Sequence, residues 1–257
     1  MSPVLIGFLG SLLAGSMTAV GALPVFLRRD VPQRTNDTLL GFAAGVMLAA
    51  SFLSLILPGI EAARAIHGSA VAAAAVAVAG VLAGAAVLAI MNEKIPHEHF
   101  FQGRQGPEAE TLARIWLFVL AITIHNAPEG LAVGVGLGGG DLAGGVALAV
   151  GIGLQNAPEG LAVALALVSI GYSRRRAFWI ASLTGLVEPV AGLFGAWAVG
   201  LSALALPWAL TFAAGAMIYV ISHEIIPETH SHGNERQATF GLVIGLALMM
   251  FLDVAFG

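Results

Sequence analysis

A doubled polar motif interrupts two long apolar stretches of this chain. HNAPEG occupies residues 125–130 and QNAPEG occupies residues 155–160, and the eight residues NAPEGLAV are identical in both copies. Each copy places a carboxylate, amide oxygens and a proline in otherwise apolar surroundings. Carboxylate, imidazole and amide oxygen together form a ligand set for a borderline divalent ion such as Zn²⁺.

In the first copy, the polar side chains share one face of a helix. His125 and Glu129 are at i, i+4 and Asn126 and Glu129 at i, i+3, the spacings of neighbours on a helical surface. Pro128 has no N–H, so it cannot bond the carbonyl of Ile124, and its ring displaces that carbonyl. We therefore expect a kink that leaves one backbone acceptor free beside this face.

The second copy repeats the same arrangement. Gln155, Asn156 and Glu159 occupy the corresponding positions, and Pro158 is expected to free the carbonyl of Leu154. Two facing copies could supply both halves of one site.

The composition indicates an integral membrane protein. Of the 257 residues, 58% are hydrophobic and 10% are charged, with a mean hydropathy of +0.90. Soluble domains carry about 25% charged residues. The net charge of −4 and the lack of a basic stripe exclude nucleic-acid binding, and the absence of cysteine excludes disulfides and thiolate metal sites. The N-terminal apolar run lacks a basic segment before it, so we expect a first span rather than a cleaved signal.

Polar residues divide the chain into eight predicted helical spans, each long enough to cross about 30 Å of hydrocarbon. The apolar runs do not alternate as barrel strands do. The predicted fold is an all-α integral membrane protein, with a single transmembrane domain at 1–257 and a cytoplasmic loop at 92–113. The approximate limits of the spans are 4–27, 38–60, 69–91, 114–138, 143–170, 178–200, 206–226 and 239–256.

The motif copies fall in spans 4 and 5, which run in opposite directions. They are therefore expected to form an inverted repeat, with kinked helices around a central site, as at the substrate sites of secondary transporters.

The basic residues predict the orientation of the chain. Ten of the eleven Lys and Arg residues lie in odd-numbered connections, and only Arg64 follows an even-numbered span. The positive-inside rule places the odd-numbered connections in the cytoplasm, so both termini are expected outside.

Three glutamates within the membrane require compensation. Glu188, in the apolar stretch SLTGLVEPVAGLF of span 6, joins Glu129 and Glu159, and none of these spans has a Lys or Arg to pair with them. A central charge costs at least about 2.5–3.5 kcal/mol on insertion scales. The glutamates are therefore either protonated or neutralised by a cation. The metal interpretation assigns one position to His125, Glu129, Gln155 and Glu159, and a second to Asn126, Asn156 and Glu188, with Glu129 and Glu159 as bridges.

Other polar residues are candidates for metal contacts outside this cluster. Met47 in span 2 could be a soft pathway ligand or a packing residue. The sequence HEIIP in span 7 is not the metalloprotease motif HExxH, because position 227 is proline. The candidate exit and loop contacts, for which ordinary helix-end or loop polarity is the alternative, are His97, His99, His223, Glu224, His230 and His232.

These motifs resemble the ZIP (Zrt-, Irt-like protein) family of divalent-metal transporters, and most closely its bacterial GufA-like branch. The resemblance covers the whole chain: HNAPEG in span 4, QNAPEG in span 5, VEP in span 6 and HEIIPE in span 7. It implies a non-enzymatic homodimer in the bacterial inner membrane that imports Zn²⁺, and also Cd²⁺, through a two-metal site. It further implies that a bundle containing spans 4 and 5 moves against a scaffold.

The resemblance implies the same ligands as the residues themselves do, with Met47 in the pathway and His223 and Glu224 at the cytoplasmic exit. Two positions depart from the family pattern. Many relatives have His where this chain has Gln155, and some have Asp where it has Asn156, so weaker binding is expected at both positions.

Two other functions fit these residues less well than metal transport does. A proton-coupled carrier of a small organic solute would need aromatic or hydroxyl groups near the middle of the membrane, and spans 4 and 5 offer almost none beside their motifs. An intramembrane hydrolase would need HExxH, or a serine beside a histidine in the cluster, and the sequence has neither.

Overall fold

The computed structural model describes residues 2–27, 31–94, 107–202 and 204–256, with the backbone alone at 91–94, 107–114, 117, 121 and 125. Within these ranges all regular structure is helical, and eight segments are long and apolar enough to cross a membrane. We number them spans 1 to 8: Pro3–Phe26, Gln33–His67, Ala70–Ile90, Phe118–Gly138, Leu142–Ser169, Arg174–Leu201, Ala205–Thr229 and Glu235–Phe256. The predicted all-α fold with eight spans is confirmed.

Four spans consist of one α-helix, spans 2, 6 and 7 contain an interruption, and span 1 ends in a 3₁₀-helix. The α-helices are Pro3–Ala22, Gln33–Ala50, Leu57–His67, Ala70–Lys94, Pro107–Gly138, Leu142–Ser169, Arg174–Thr184, Val187–Leu201, Ala205–Val220, Ile226–Thr229 and Glu235–Phe256. Leu23–Phe26 is a 3₁₀-helix, and Ser51–Ile56 and Ile221–Ile225 are π-helical.

Spans 2 and 6 begin earlier than the hydropathy pattern predicts. Span 2 starts at Gln33, because the polar turn QRTND continues the helix beyond the apolar stretch. Span 6 starts at Arg174, where Ser173 caps the helix by accepting a hydrogen bond from the N–H of Arg176 at 3.4 Å.

Two π-helical turns precede prolines in spans 2 and 7. Ser51–Ile56 ends two residues before Pro58, and Ile221–Ile225 ends two residues before Pro227. A proline ring clashes with the carbonyl four residues earlier in an α-helix. A wider turn with one extra residue relieves this clash, and such turns occur often at functional positions.

The spans pack as two bundles, one of spans 1, 4, 5 and 6 and one of spans 2, 3, 7 and 8. Glycines bring the backbones close within each bundle, as is usual in lipid. In the second bundle, a Cβ on Gly45 would collide with the backbone at Leu242, and a Cβ on Gly215 would collide with the backbone at Val81. These contacts fix span 2 against span 8 and span 3 against span 7.

The two bundles meet where span 2 packs on span 5 and span 4 packs on span 7. Large apolar side chains fill this contact, among them Met47, Leu148, Ile152 and Met217, all with at most 1% of their surface exposed.

Candidate metal centre

Three glutamates from three spans meet inside the first bundle. Glu129 of span 4, Glu159 of span 5 and Glu188 of span 6 are at most 1% exposed. Glu188 is close enough to the other two for their charges to interact. The structure therefore brings together the carboxylates that the sequence assigns to one cluster.

A break in span 6 positions Glu188. One helix ends at Thr184 and the next begins at Val187. Pro189 has no N–H to give the carbonyl of Gly185, which instead accepts the N–H of Glu188 at 3.2 Å. Glu188 thus lies in the first turn of a helix, where the positive end of the helix dipole favours a carboxylate.

Asn156 links three spans through its side-chain amide. Its Nδ2 donates to the carbonyl oxygen of Ala14 in span 1 at 2.9 Å and to Oε1 of Glu188 in span 6 at 2.8 Å. The side chain is fully buried. Asn156 therefore holds span 5 in place against both neighbours, a connection that its place in the motif did not predict.

The same bonds determine how Gln155 is oriented. The carbonyl of Ala14 can only accept, so it must face the NH₂ of Asn156, and Asn156 Oδ1 must point the other way. Gln155 Nε2 donates to that oxygen at 2.8 Å. The remaining oxygen, Gln155 Oε1, is buried and accepts no hydrogen bond from the described residues.

Four polar atoms of the cluster, Gln155 Oε1 among them, are buried and have no hydrogen-bond partner within the described residues. They are Asn126 Nδ2 and Oδ1, Gln155 Oε1 and Glu188 Oε2. Buried polar atoms in native proteins are nearly always hydrogen-bonded. Buried oxygen atoms that accept no hydrogen bond and lie next to clustered carboxylates are suited to binding a cation.

The side chain of His125 lies outside the described part of the structure. Among the described residues, no three His, Asp or Glu side chains are already grouped as a metal site. An ion would therefore need the amide oxygens, His125, or a rotation of the glutamate side chains to complete its coordination.

The glycine of each motif lets a neighbouring backbone approach. A Cβ on Gly130 would collide with the backbone of Glu188, and a Cβ on Gly160 with the carbonyl of Thr18. The carbonyl of Gly130 also accepts a hydrogen bond from Ser11 Oγ at 3.2 Å. The motif glycines thus bring span 4 to span 6 and span 5 to span 1 around the cluster.

Helical structure continues through both motif prolines. Pro128 lies inside the helix Pro107–Gly138 and Pro158 inside Leu142–Ser169. The free carbonyls expected at Ile124 and Leu154 stay a prediction.

Candidates outside the cluster lie in several places. Met47 is fully buried among apolar side chains between the bundles. His223 is exposed in the π-helical turn of span 7, where its ring stacks on Tyr219 at a centroid distance of 5.1 Å, and Glu224 is half-buried beside it. His97 and His99 lie outside the described residues.

His230 and His232 lie in the connection between spans 7 and 8. His230 Nδ1 lies 2.9 Å from the carbonyl of Ile226. His232 Nδ1 lies 3.2 Å from Oδ1 of Asp37, a fully buried carboxylate that also accepts from Asn234 Nδ2 at 2.8 Å. Asp37 thus ties this connection to the start of span 2.

Comparison with known proteins agrees with this arrangement. A family model described as ZIP Zinc transporter matches residues 92–253, more than half of the chain. The chain is 51% identical to Zinc transporter ZIPB of Bordetella bronchiseptica, over 97% of this chain and 81% of that protein. It is 45% identical to Zinc transporter GufA of Myxococcus xanthus, over 98% and 99%, and 36% identical to human Zinc transporter ZIP11, over 100% and 98%.

The matches extend over nearly the whole chain and include all three spans that carry the glutamates. The resemblance seen in the doubled motif is thereby confirmed, and the family is one of transporters rather than enzymes. This chain belongs to the ZIP family.

Proposed function

We propose that this protein carries Zn²⁺, and also Cd²⁺, across the membrane into the cytoplasm. The observation that carries the proposal is the convergence of three buried glutamates from spans 4, 5 and 6. No Lys or Arg occurs between Arg114 and Arg174, or between Arg176 and the end of span 6. A divalent cation is the natural partner for such a cluster, and relatives of this chain are named zinc transporters.

The proposed site has two positions between spans 4, 5 and 6. The first is formed by His125, Glu129, Gln155 and Glu159, and the second by Asn126, Asn156 and Glu188, with Glu129 and Glu159 bridging. Its donors are carboxylate, imidazole and amide groups, a set that suits a borderline divalent ion.

Charge balance supports the first position as the stronger one. Glu129 and Glu159 together supply two negative charges, which match one divalent ion. Glu188 already accepts a hydrogen bond from Asn156 at 2.8 Å, and this bond partly satisfies its carboxylate without a second ion. When zinc leaves for the cytoplasm, two protons replace it on the bridging glutamates, so that the net charge of the cluster does not change.

The route and the assembly form the rest of the proposal. The chain is one transporter domain of the bacterial inner membrane with both termini outside, and it functions as a homodimer. Met47 lies along the entry route. His223 and Glu224 receive the ion on the cytoplasmic side. Weaker contacts beyond them are His97, His99, His230 and His232. The bundle of spans 1, 4, 5 and 6 moves against the bundle of spans 2, 3, 7 and 8, which meet through apolar side chains.

Uptake of Zn²⁺ into proteoliposomes tests the proposal. We expect Glu129→Gln with Glu159→Gln to abolish uptake, because the pair no longer neutralises a divalent ion. Thr211→Val, which changes a buried polar side chain between spans 3 and 7, is the control and should retain uptake. A double variant that takes up zinc like the parent would falsify the assignment.

The same preparation separates metal transport from the alternative, a proton-coupled carrier of an organic solute. Metal content of the purified parent is measured before and after dialysis against a chelator. A protein that never retains zinc above the level of the double variant would favour the alternative.

A further inference from the structure

Three consecutive arginines begin span 6, and the first of them is engaged by the protein itself. Arg174 Nη1 donates to the carbonyl of Phe26 at 2.9 Å, which ties the start of span 6 to the end of span 1. Arg175 and Arg176 are exposed. These two guanidinium groups take no part in the candidate metal centre.

Arg175 and Arg176 border a groove of about 380 Å³ on the outer face of span 6. The groove is also lined by Ser173, Trp179, Ile180 and Leu183. Polar residues occupy its upper end and apolar residues its lower end. With a rise of about 1.5 Å per residue, Leu183 lies about 12 Å deeper along the helix than Arg175.

The lower part of the groove opens onto a lipid-facing stripe. Trp179 and Leu183 are 56% and 57% exposed, and Leu186 and Val190, beyond the break in the helix, are exposed as well. The indole of Trp179 packs edge-on against Phe178 at a centroid distance of 5.4 Å, which restrains the ring. Tryptophan at such a position marks the boundary between headgroups and hydrocarbon.

The upper end of the groove favours an anion. Two guanidinium groups flank the start of an eleven-residue helix, Arg174–Thr184, whose positive dipole end faces the same side. Guanidinium groups bind phosphate with paired hydrogen bonds. The charge and the shape together match a phosphodiester headgroup above an acyl chain.

We propose that this groove binds one anionic phospholipid. Arg175 and Arg176 hold the phosphate, and an acyl chain lies along Trp179, Ile180 and Leu183. The lipid comes from the leaflet that faces the arginines. It steadies the first half of span 6, the half that leads to the break before Glu188. A free phosphate ion would leave the apolar half of the groove unused.

Melting of the purified protein in a neutral detergent tests the proposal. Titration with phosphatidylglycerol should raise the melting temperature of the parent, and phosphatidylcholine should not. In Arg175→Gln/Arg176→Gln, the apparent affinity for phosphatidylglycerol should fall about tenfold, a loss of roughly 1.4 kcal/mol. Arg34→Gln/Arg236→Gln removes the same charge from exposed arginines at the starts of spans 2 and 8 and should respond like the parent.

Two results would overturn the lipid site. An equal loss of affinity for phosphatidylglycerol in both double variants would show that general surface charge, and not this groove, attracts the lipid. Stabilisation of the parent by inorganic phosphate alone, to the same extent, would make it a site for a free anion.

Tryptophan fluorescence gives a second measurement that does not depend on the arginine variants. Phosphatidylglycerol brominated on its acyl chains should quench the parent more than brominated phosphatidylcholine does. Trp179→Phe should remove that excess. An unchanged excess in Trp179→Phe would place the lipid elsewhere.

Discussion

Asn156 Nδ2 lies 2.8 Å from Glu188 Oε1, and this bond joins span 5 to the broken helix of span 6 at the candidate metal centre. The same nitrogen holds span 1 through the carbonyl of Ala14. Because both acceptors fix the amide, Asn156 Oδ1 is turned to Gln155, and one of its two lone pairs is already used there. Asn156 is thus placed to orient the neighbouring polar side chains of the cluster.

Asn156→Asp should remove the hydrogen bond from residue 156 to Glu188 and create a ligand for a second zinc ion. Without zinc, the variant loses its bonds to Ala14 and Glu188 and sets two carboxylates against each other, so we expect a stability loss of about 1–3 kcal/mol. With zinc, the introduced carboxylate favours a second ion. Thermal melts with and without zinc, together with the zinc-to-protein ratio after dialysis, measure both effects.

Asn234→Ala is the control for that experiment, because it removes a comparable hydrogen bond and adds no carboxylate beside His232. Asn234 Nδ2 also donates to a buried carboxylate, Asp37 Oδ2, at 2.8 Å, but in the other bundle. It should lose stability without gaining any zinc response. If both variants respond to zinc alike, the second-ion interpretation is wrong.

Gln155→His should tighten zinc binding and slow release. An imidazole can donate one N–H to Asn156 Oδ1 and offer its other nitrogen to the ion, where it is a stronger ligand than an amide oxygen. We expect a Kd about tenfold lower and a lower maximal rate of uptake. Competition with a fluorescent chelator and initial uptake rates measure the two quantities.

Gln155→Ala provides the opposite case. It removes the oxygen donor and should weaken zinc binding about tenfold. Weaker binding in both variants would contradict the role of position 155 as a ligand.

Gly130→Ala should destabilise the protein although alanine is the better helix former. In a helix interior this exchange ordinarily stabilises by up to about 1 kcal/mol. At Gly130 the added Cβ collides with the backbone of Glu188, so we expect a net loss of roughly 1–3 kcal/mol and reduced zinc uptake. The melting temperature in detergent and the initial uptake rate are the measurements.

Gly200→Ala is the control for this clash. A Cβ on Gly200 meets nothing within 4 Å, and the residue belongs to the same bundle. It should keep the melting temperature and uptake of the parent. A Gly130→Ala variant as stable as Gly200→Ala would show that the close approach is not required.

The membrane architecture could be predicted from the sequence, because each apolar run is about as long as a helix that crosses the hydrocarbon core of the bilayer. The eight spans and the placement of the three glutamates in spans 4, 5 and 6 follow from apolar runs and their polar interruptions. The predicted starts of spans 2 and 6 lie too late in the sequence. The helices begin at Gln33 and Arg174, in polar segments that carry no hydropathy signal.

Features that depend on contacts between spans could not be predicted in this way. The π-helical turn at Ser51–Ile56 has no periodic signal, since it differs from an α-helix by one residue. The link from Asn156 to Ala14 joins residues 142 positions apart. The approach of Glu188 to Gly130 likewise depends on how two helices pack.

The apolar contact between the two bundles has a further consequence. The inter-span hydrogen bonds named above join spans within one bundle, whereas Met47, Leu148 and Ile152 lie between the bundles. Displacement along such a surface exchanges one set of dispersion contacts for another. The free energy of that displacement then depends on how well the apolar band of each bundle matches the hydrocarbon thickness. In the proposed movement, the acyl-chain length of the bilayer would therefore change the balance between the two relative positions of the bundles.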